Sequence, residues 1–146
     1  MTIKEIQEEI VDEFAFFTDW TERYEHIINL GKELAPIDEK HKTDDNIIKG
    51  CQSRVWLHAN KTPDGKIAFT ADSDAILTKG IIALMIRVFS NQSPEDIVHA
   101  DTGFIDEIGL KEHLSPTRAN GLVSMVKQIK FYALAMQSNP QKSPST

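Results

Sequence analysis

Ile3, Ile6, Ile10, Phe14 and Phe17 recur at steps of three and four, which lays one apolar stripe along a helix from about Ile3 to Phe17. Thr2 and Glu5 have the spacing of a capping box at its start. Asp19 and Glu22 repeat that spacing for a second helix, with Trp20, Tyr24, Ile27 and Ile28 on its inner face, running to about Leu34 before Pro36 stops it. Residues 36–46, PIDEKHKTDDN, are polar and read as a loop. Then the period changes. Ile47 and Ile48 are placed as a short first strand, Gly50 permits a sharp bend, and Val55, Leu57 and Ala59 alternate with Arg54, Trp56 and His58. TPDG (62–65) is a turn and KIAFTAD (66–72) the returning strand.

Helical spacing resumes after Asp72, with Ser73 or Asp74 as cap of a helix running to about Phe89. That helix is apolar on most sides, so it is the expected core element. SPED (93–96) is a strong helix start, short helical pieces follow as far as His113, and Ser115 with Pro116 opens the last helix, whose stripe is Leu122, Met125, Val126, Ile129, Ala133 and Met136. The sum is an α+β fold: a small antiparallel β-sheet with helices packed on one face. A single domain is expected over residues 1–138, with 139–146 as a disordered C-terminal tail, since SNPQKSPST is polar and contains proline.

Composition narrows the function. A chain of 146 residues suits one domain and is large enough to fold without disulfides or metals. Its net charge of −6 argues against nucleic acid and against an anionic membrane surface, because both need a basic face. No apolar run reaches the roughly 20 residues that span a bilayer, and the acidic, amphipathic start does not read as a secretory signal. One cysteine makes no internal disulfide, so a cytoplasmic location is expected.

The single thiol, Cys51, falls at the bend where the sheet begins. A thiol acts as a nucleophile through its thiolate, and a tip position gives access; Lys49 and Arg54 are near enough in sequence to favour the anion. The competing reading is a small buried hydrophobe, since free cysteine is among the most buried residue types. A thiol hydrolase has little support: His26, His41, His58, His99 and His113 lack a nucleophile context of known type. The ligand types around His41, Asp44 and Asp45 fit no metal spacing, and no phosphate loop occurs, so no cofactor is expected. Asp74 stands where a helix cap belongs. Arg118 lies near the positive end of the last helix, so it needs another partner, such as Asp74 or a second protein.

GCQSRVWL, DSDAILTKGIIALM, SPEDIV and EHLSPTRANGL, in this order and spacing, resemble the SufE family of sulfur-acceptor proteins, and the likeness runs from about Ile10 to Ala135. The resemblance implies an α+β fold similar to iron–sulfur scaffold proteins of the IscU type. It implies that Cys51 forms a persulfide, with Gly50, Asp74, His113 and Arg118 supporting the site. The protein would then be no enzyme in itself. It would accept sulfur from a pyridoxal-phosphate-dependent cysteine desulfurase (SufS-like), stimulate it, and pass the sulfur to an iron–sulfur scaffold complex (SufBCD-like). One cysteine cannot hold a cluster, which needs about four ligands, so delivery is implied and assembly is not. The alternative is a non-catalytic binding module of the same fold that only regulates a partner. The oligomeric state stays open, a homodimer included.

Overall fold

The computed structural model describes residues 1–138; the expected tail lies outside the described residues. Six helices and one hairpin follow in order: α1 (Ile3–Phe16), α2 (Trp20–Lys32), β1 (Val55–Lys61), β2 (Ile67–Ser73), α3 (Ile76–Phe89), α4 (Pro94–His99), α5 (Gly103–Glu107) and α6 (Pro116–Ser138). The fold is α+β, with a two-stranded antiparallel sheet.

Four of the helix starts are made by the expected side chains. Thr2 Oγ1 accepts from the Glu5 N–H at 3.1 Å, and the Glu5 carboxylate accepts from the Thr2 N–H at 2.8 Å, a complete capping box. Asp19 caps α2 through the Glu22 N–H at 2.9 Å, but Glu22 reaches back to Thr18 and leaves the Asp19 N–H alone. Ser93 caps α4 and Ser115 caps α6 through the N–H groups of Asp96 and Arg118. The third expected cap is a correction. The N-cap of α3 is Ala75, and neither Ser73 nor Asp74 caps it in the usual geometry; both side chains are engaged with the opposite strand, as described below.

β1 and β2 pair from Val55↔Ser73 to Lys61↔Ile67. Alternation sends Val55, Leu57, Ile67, Phe69 and Ala71 inward, where all are buried. They meet α3, whose Ile81, Ile82, Leu84, Met85, Val88 and Phe89 are 1% exposed or less, so α3 is the core element its composition implied. Ile47 and Ile48 form no strand of their own. Ile47 makes one isolated bridge to Trp56, and the Ile48 N–H bonds to the Val55 carbonyl at 2.8 Å. Pairing stops there because Ile48 turns into the core and the chain reverses at Gly50, φ +94°.

The outward face of the hairpin carries the polar 36–46 segment. His41 stacks on His58 with ring centroids 3.5 Å apart. Lys42 lies over Trp56 and pairs with Asp72 at 2.8 Å, and Lys79 reaches the same carboxylate at 3.3 Å. Burial, aided by the positive charge of His41 and Lys40, holds the His58 pKa below its ordinary value. The sign follows. Above the unfolded value, near 6.5, His58 is neutral in both states and costs nothing; below it the unfolded chain binds the proton first. Stability is therefore full above about pH 6.5 and falls as the pH drops toward the depressed folded value. Urea midpoints at a series of pH values should show this loss in the native chain and not in His58→Gln; parallel curves would refute the assignment.

A clamp joins the helical layer. Arg87 of α3 pairs with Glu9 at 2.6 Å and with both oxygens of Glu13 on α1, and Glu13 also meets His26 Nε2 of α2 at 3.0 Å. The Arg87 guanidinium, with His26 adding to it, holds the Glu13 carboxyl below its ordinary range. Further along, Lys130 of α6 donates to the Ala100 carbonyl at 2.6 Å and to the Val98 carbonyl at 3.3 Å, satisfying the end of the short α4. Among the described residues no helix is long and apolar enough to cross a membrane.

Candidate functional site: the Cys51 loop

Residues 49–54 form a loop between the Ile47 bridge and β1, and Cys51 stands on it, half-buried. The loop is held at three points. At Gly50, φ is +94°, a left-handed conformation that favours glycine, and Ser124 Oγ of α6 lies 2.5 Å from where a Cβ would stand. At Cys51, Sγ is 3.7 Å from the Gly121 carbonyl, to which the thiol donates. At Arg54, the backbone is gripped by β2: its N–H donates to Asp74 Oδ1 at 3.1 Å, and its carbonyl accepts from Ser73 Oγ at 2.8 Å and from the Asp74 N–H at 3.3 Å.

The thiol closes one side of a small recess of about 20 Å³, whose other walls include Thr78 and Ile81 of α3 and Thr117, Arg118, Gly121 and Met125 of α6. A space of about 10–15 Å³ holds one water molecule, so the recess has room for one small guest atom or molecule beside Sγ. Burial pushes the thiol pKa up from its ordinary value, and it is the sole cause of the shift. Lys49 and Arg54 therefore do not favour the thiolate here, which corrects the expectation from their closeness in sequence. In the seated position burial disfavours the nucleophilic thiolate.

The supporting residues separate. Gly50 and Arg118 lie at the loop and recess. Asp74 stands outside the recess and acts on the loop through the Arg54 backbone. Arg118 is exposed, and among the described residues it makes no ion pair, with Asp74 or any other carboxylate. His113 is not part of the recess wall. Its ring stacks on Trp20 with centroids 3.9 Å apart, Nδ1 meets the Gly109 carbonyl at 3.0 Å, and its own carbonyl accepts from the Tyr24 hydroxyl. It fixes the turn that leads into α6.

Asp74→Ala should leave global stability within about 1 kcal/mol, since one exposed hydrogen bond is lost. The Arg54 amide, deprived of its acceptor, should exchange with solvent much faster. Unchanged protection of that amide would remove Asp74 from the loop's anchorage.

Four contributors had no place in the site as the pattern of residues gave it: Ser73, which was read only as a helix cap, Thr78, Gly121 and Ser124. A signal existed for Gly121, because a glycine inside a helical pattern usually has a packing reason. The other three carry none, since a serine or threonine at a helix or strand position is unremarkable until its neighbour across the fold is known.

Comparisons with known proteins bear on the family and the fold. The family described as SufE, Fe–S metabolism associated domain, matches residues 8–133. A Rhizobium meliloti protein described as an uncharacterised SufE-like protein is 39% identical over 130 residues, covering 86% of this chain and 93% of its own. The solution structure of a hypothetical protein from Thermus thermophilus superposes with a TM-score of 0.76 at 18% identity, covering 91% of this chain and 96% of that one, and it supports the fold alone. With a family match over most of its length and a relative of this identity, the chain belongs to the SufE family, whose domain is associated with Fe–S metabolism.

Proposed function

We propose that Cys51 accepts sulfane sulfur from a pyridoxal-phosphate-dependent cysteine desulfurase, carries it as a persulfide, stimulates the donor by relieving it of sulfur, and hands it to an iron–sulfur scaffold complex in the cytoplasm. The observation that carries this reading is the lone, half-buried thiol on a glycine-turned loop beside a recess with space for one more atom. The chemistry is an exchange at sulfur. The Cys51 thiolate attacks the outer sulfur of the donor's persulfide; the donor's S–S bond breaks, its cysteine leaves as a thiolate, and a new S–S bond forms on Cys51. No electrons are gained or lost in total, so no external oxidant or reductant is required. The pyridoxal phosphate belongs to the donor.

Burial gives the loop two duties. Seated, the thiolate is disfavoured by burial, and a sulfur carried in the recess would be screened from reductants. Drawn out toward a donor, Cys51 regains the pKa of an exposed thiol and a larger thiolate fraction. The absence of a second cysteine suits a carrier, because a resolving thiol nearby would displace the sulfur as sulfide and close a disulfide. Incubation with a cysteine desulfurase and free cysteine, followed by mass spectrometry of the intact protein, tests the reading. One added sulfur atom, mapped to Cys51, is expected; an unmodified protein beside a turning-over donor would reject it.

A further inference from the structure

We infer that Gly121, assisted by Ser124, is the positioning residue that keeps Cys51 seated on α6 and so sets how exposed the sulfur is between transfers. The inference rests on the sulfur-carrier reading for its purpose, but its physical content concerns the free protein.

Three observations converge. A Cβ built at Gly121 would lie 3.3 Å from Sγ and 3.8 Å from both Cα and Cβ of Cys51, so the cysteine packs against helix backbone where any other residue would place a side chain. The thiol's hydrogen-bond acceptor is the carbonyl of that same glycine. One turn on, the arrangement is reversed: Ser124 Oγ of the helix lies 2.5 Å from the position a Cβ on the loop residue Gly50 would take. Positions 121 and 124 are neighbours on one helix face, so a single surface of α6 receives two consecutive loop residues. The glycine is not there for the helix. In a helix interior glycine is disfavoured relative to alanine, and Gly121 has an ordinary helical backbone with no positive φ to excuse it. Its value lies in what it leaves empty.

A helix-building substitution should therefore have two effects of opposite sign. In Gly121→Ala the helix is helped while the seat is disturbed, because the added methyl would lie closer to Sγ than most such contacts and the loop must give by a few tenths of an ångström. A residue with a merely structural role in α6 would not behave so.

The test uses the full chain, without any partner. The rate of alkylation of Cys51 by iodoacetamide is measured across pH, with the thermal midpoint recorded for each variant. Gly121→Ala should react about three- to tenfold faster at neutral pH, with the midpoint of its pH–rate profile moved down toward the value of an exposed thiol, and with an unlowered thermal midpoint. Ser124→Leu, which crowds Gly50 from a half-exposed position, should shift rate and profile in the same direction and decides the matter should Gly121→Ala fail to fold. Wild-type rate and profile in a folded variant would overturn the inference. Because this measurement needs no sulfur donor, failure of the native chain to load sulfur would count against the carrier reading and leave the seat standing. Where loading succeeds, the persulfide on Gly121→Ala should also be lost several-fold faster to an added thiol reductant.

Discussion

Cys51→Ser should take up no sulfur from a desulfurase and should give none of the stimulation, while unfolding at nearly the native midpoint. The effect on transfer is all or none because a serine hydroxyl neither ionises near neutral pH nor forms a stable bond to sulfane sulfur. The effect on the fold is small. The side chain is half-buried, and its hydrogen bond to the Gly121 carbonyl, at 3.7 Å, is the weak bond of a thiol, so little is lost when a hydroxyl takes its place. A shift in thermal midpoint of no more than a few degrees is expected. The measurement is paired: intact mass after exposure to donor and cysteine, and a melting curve. A serine variant that still stimulated the donor fully would transfer the function from the thiol to a docking surface and revive the reading of a regulatory binding module.

Gly80→Ala should produce the largest loss of stability of any single methyl added to this protein. Gly80 lies on α3 where α2 crosses it, and a Cβ there would stand 2.1 Å from the carbonyl oxygen of Ile27 and 2.7 Å from its carbonyl carbon. The reciprocal position on α2 is as tight: a Cβ on Gly31 would lie 2.8 Å from the Gly80 nitrogen. Two helix backbones touch through paired glycines. The obstructing atoms are backbone, so no rotamer change relieves the clash and the helices must separate. α3 is also the element against which the hairpin packs, and its Thr78 and Ile81 line the Cys51 recess. We expect a cost of about 3 kcal/mol or more, at or above the usual range for overpacked cores, from a total of roughly 5–15 kcal/mol. The thermal midpoint should fall by about 10 °C. Gly65→Ala is the control. Nothing lies within 4 Å of an added Cβ there, but φ is +85°, so dihedral strain of about 1–2 kcal/mol is the whole cost. Should Gly80→Ala prove no more harmful than Gly65→Ala, the close crossing of α2 and α3 would be wrong.

Both glycines of that crossing were legible only as residues of poor helix propensity. Gly31 and Gly80 are 49 positions apart, and no local pattern pairs them. The same limit applied around the thiol. The period-two run after Cys51, the turn at 62–65 and the bend at Gly50 were readable because each depends on neighbours a few residues away. The resemblance to SufE proteins was readable for another reason: it is carried by several short motifs in a preserved order, which needs no geometry.

Asp74 shows where local reasoning misled. A carboxylate just before an apolar helical run has the look of an N-cap, and capping is a property of three or four adjacent residues. In the folded protein the antiparallel register puts Ser73 opposite Val55, and Asp74 beside the Arg54 backbone. A peptide N–H across the hairpin was therefore nearer than the first turn of its own helix. The thiol's acidity went the same way. Nearby cations along the chain suggested a lowered pKa, yet burial against α6 raises it, because desolvation depends on what packs from 70 residues away.

Four of the helix starts, strand alternation, the apolar core helix, the presence of one thiol at a bend and the family to which it belongs were determined by the order of residues, since each is a short-range or motif-level property. The crossing of α2 on α3, the packing of Cys51 on Gly121 and Ser124, the grip of Asp74 on Arg54 and the raised pKa of the thiol were decided by the three-dimensional fold, because steric contact and desolvation act through space and take no account of separation along the chain.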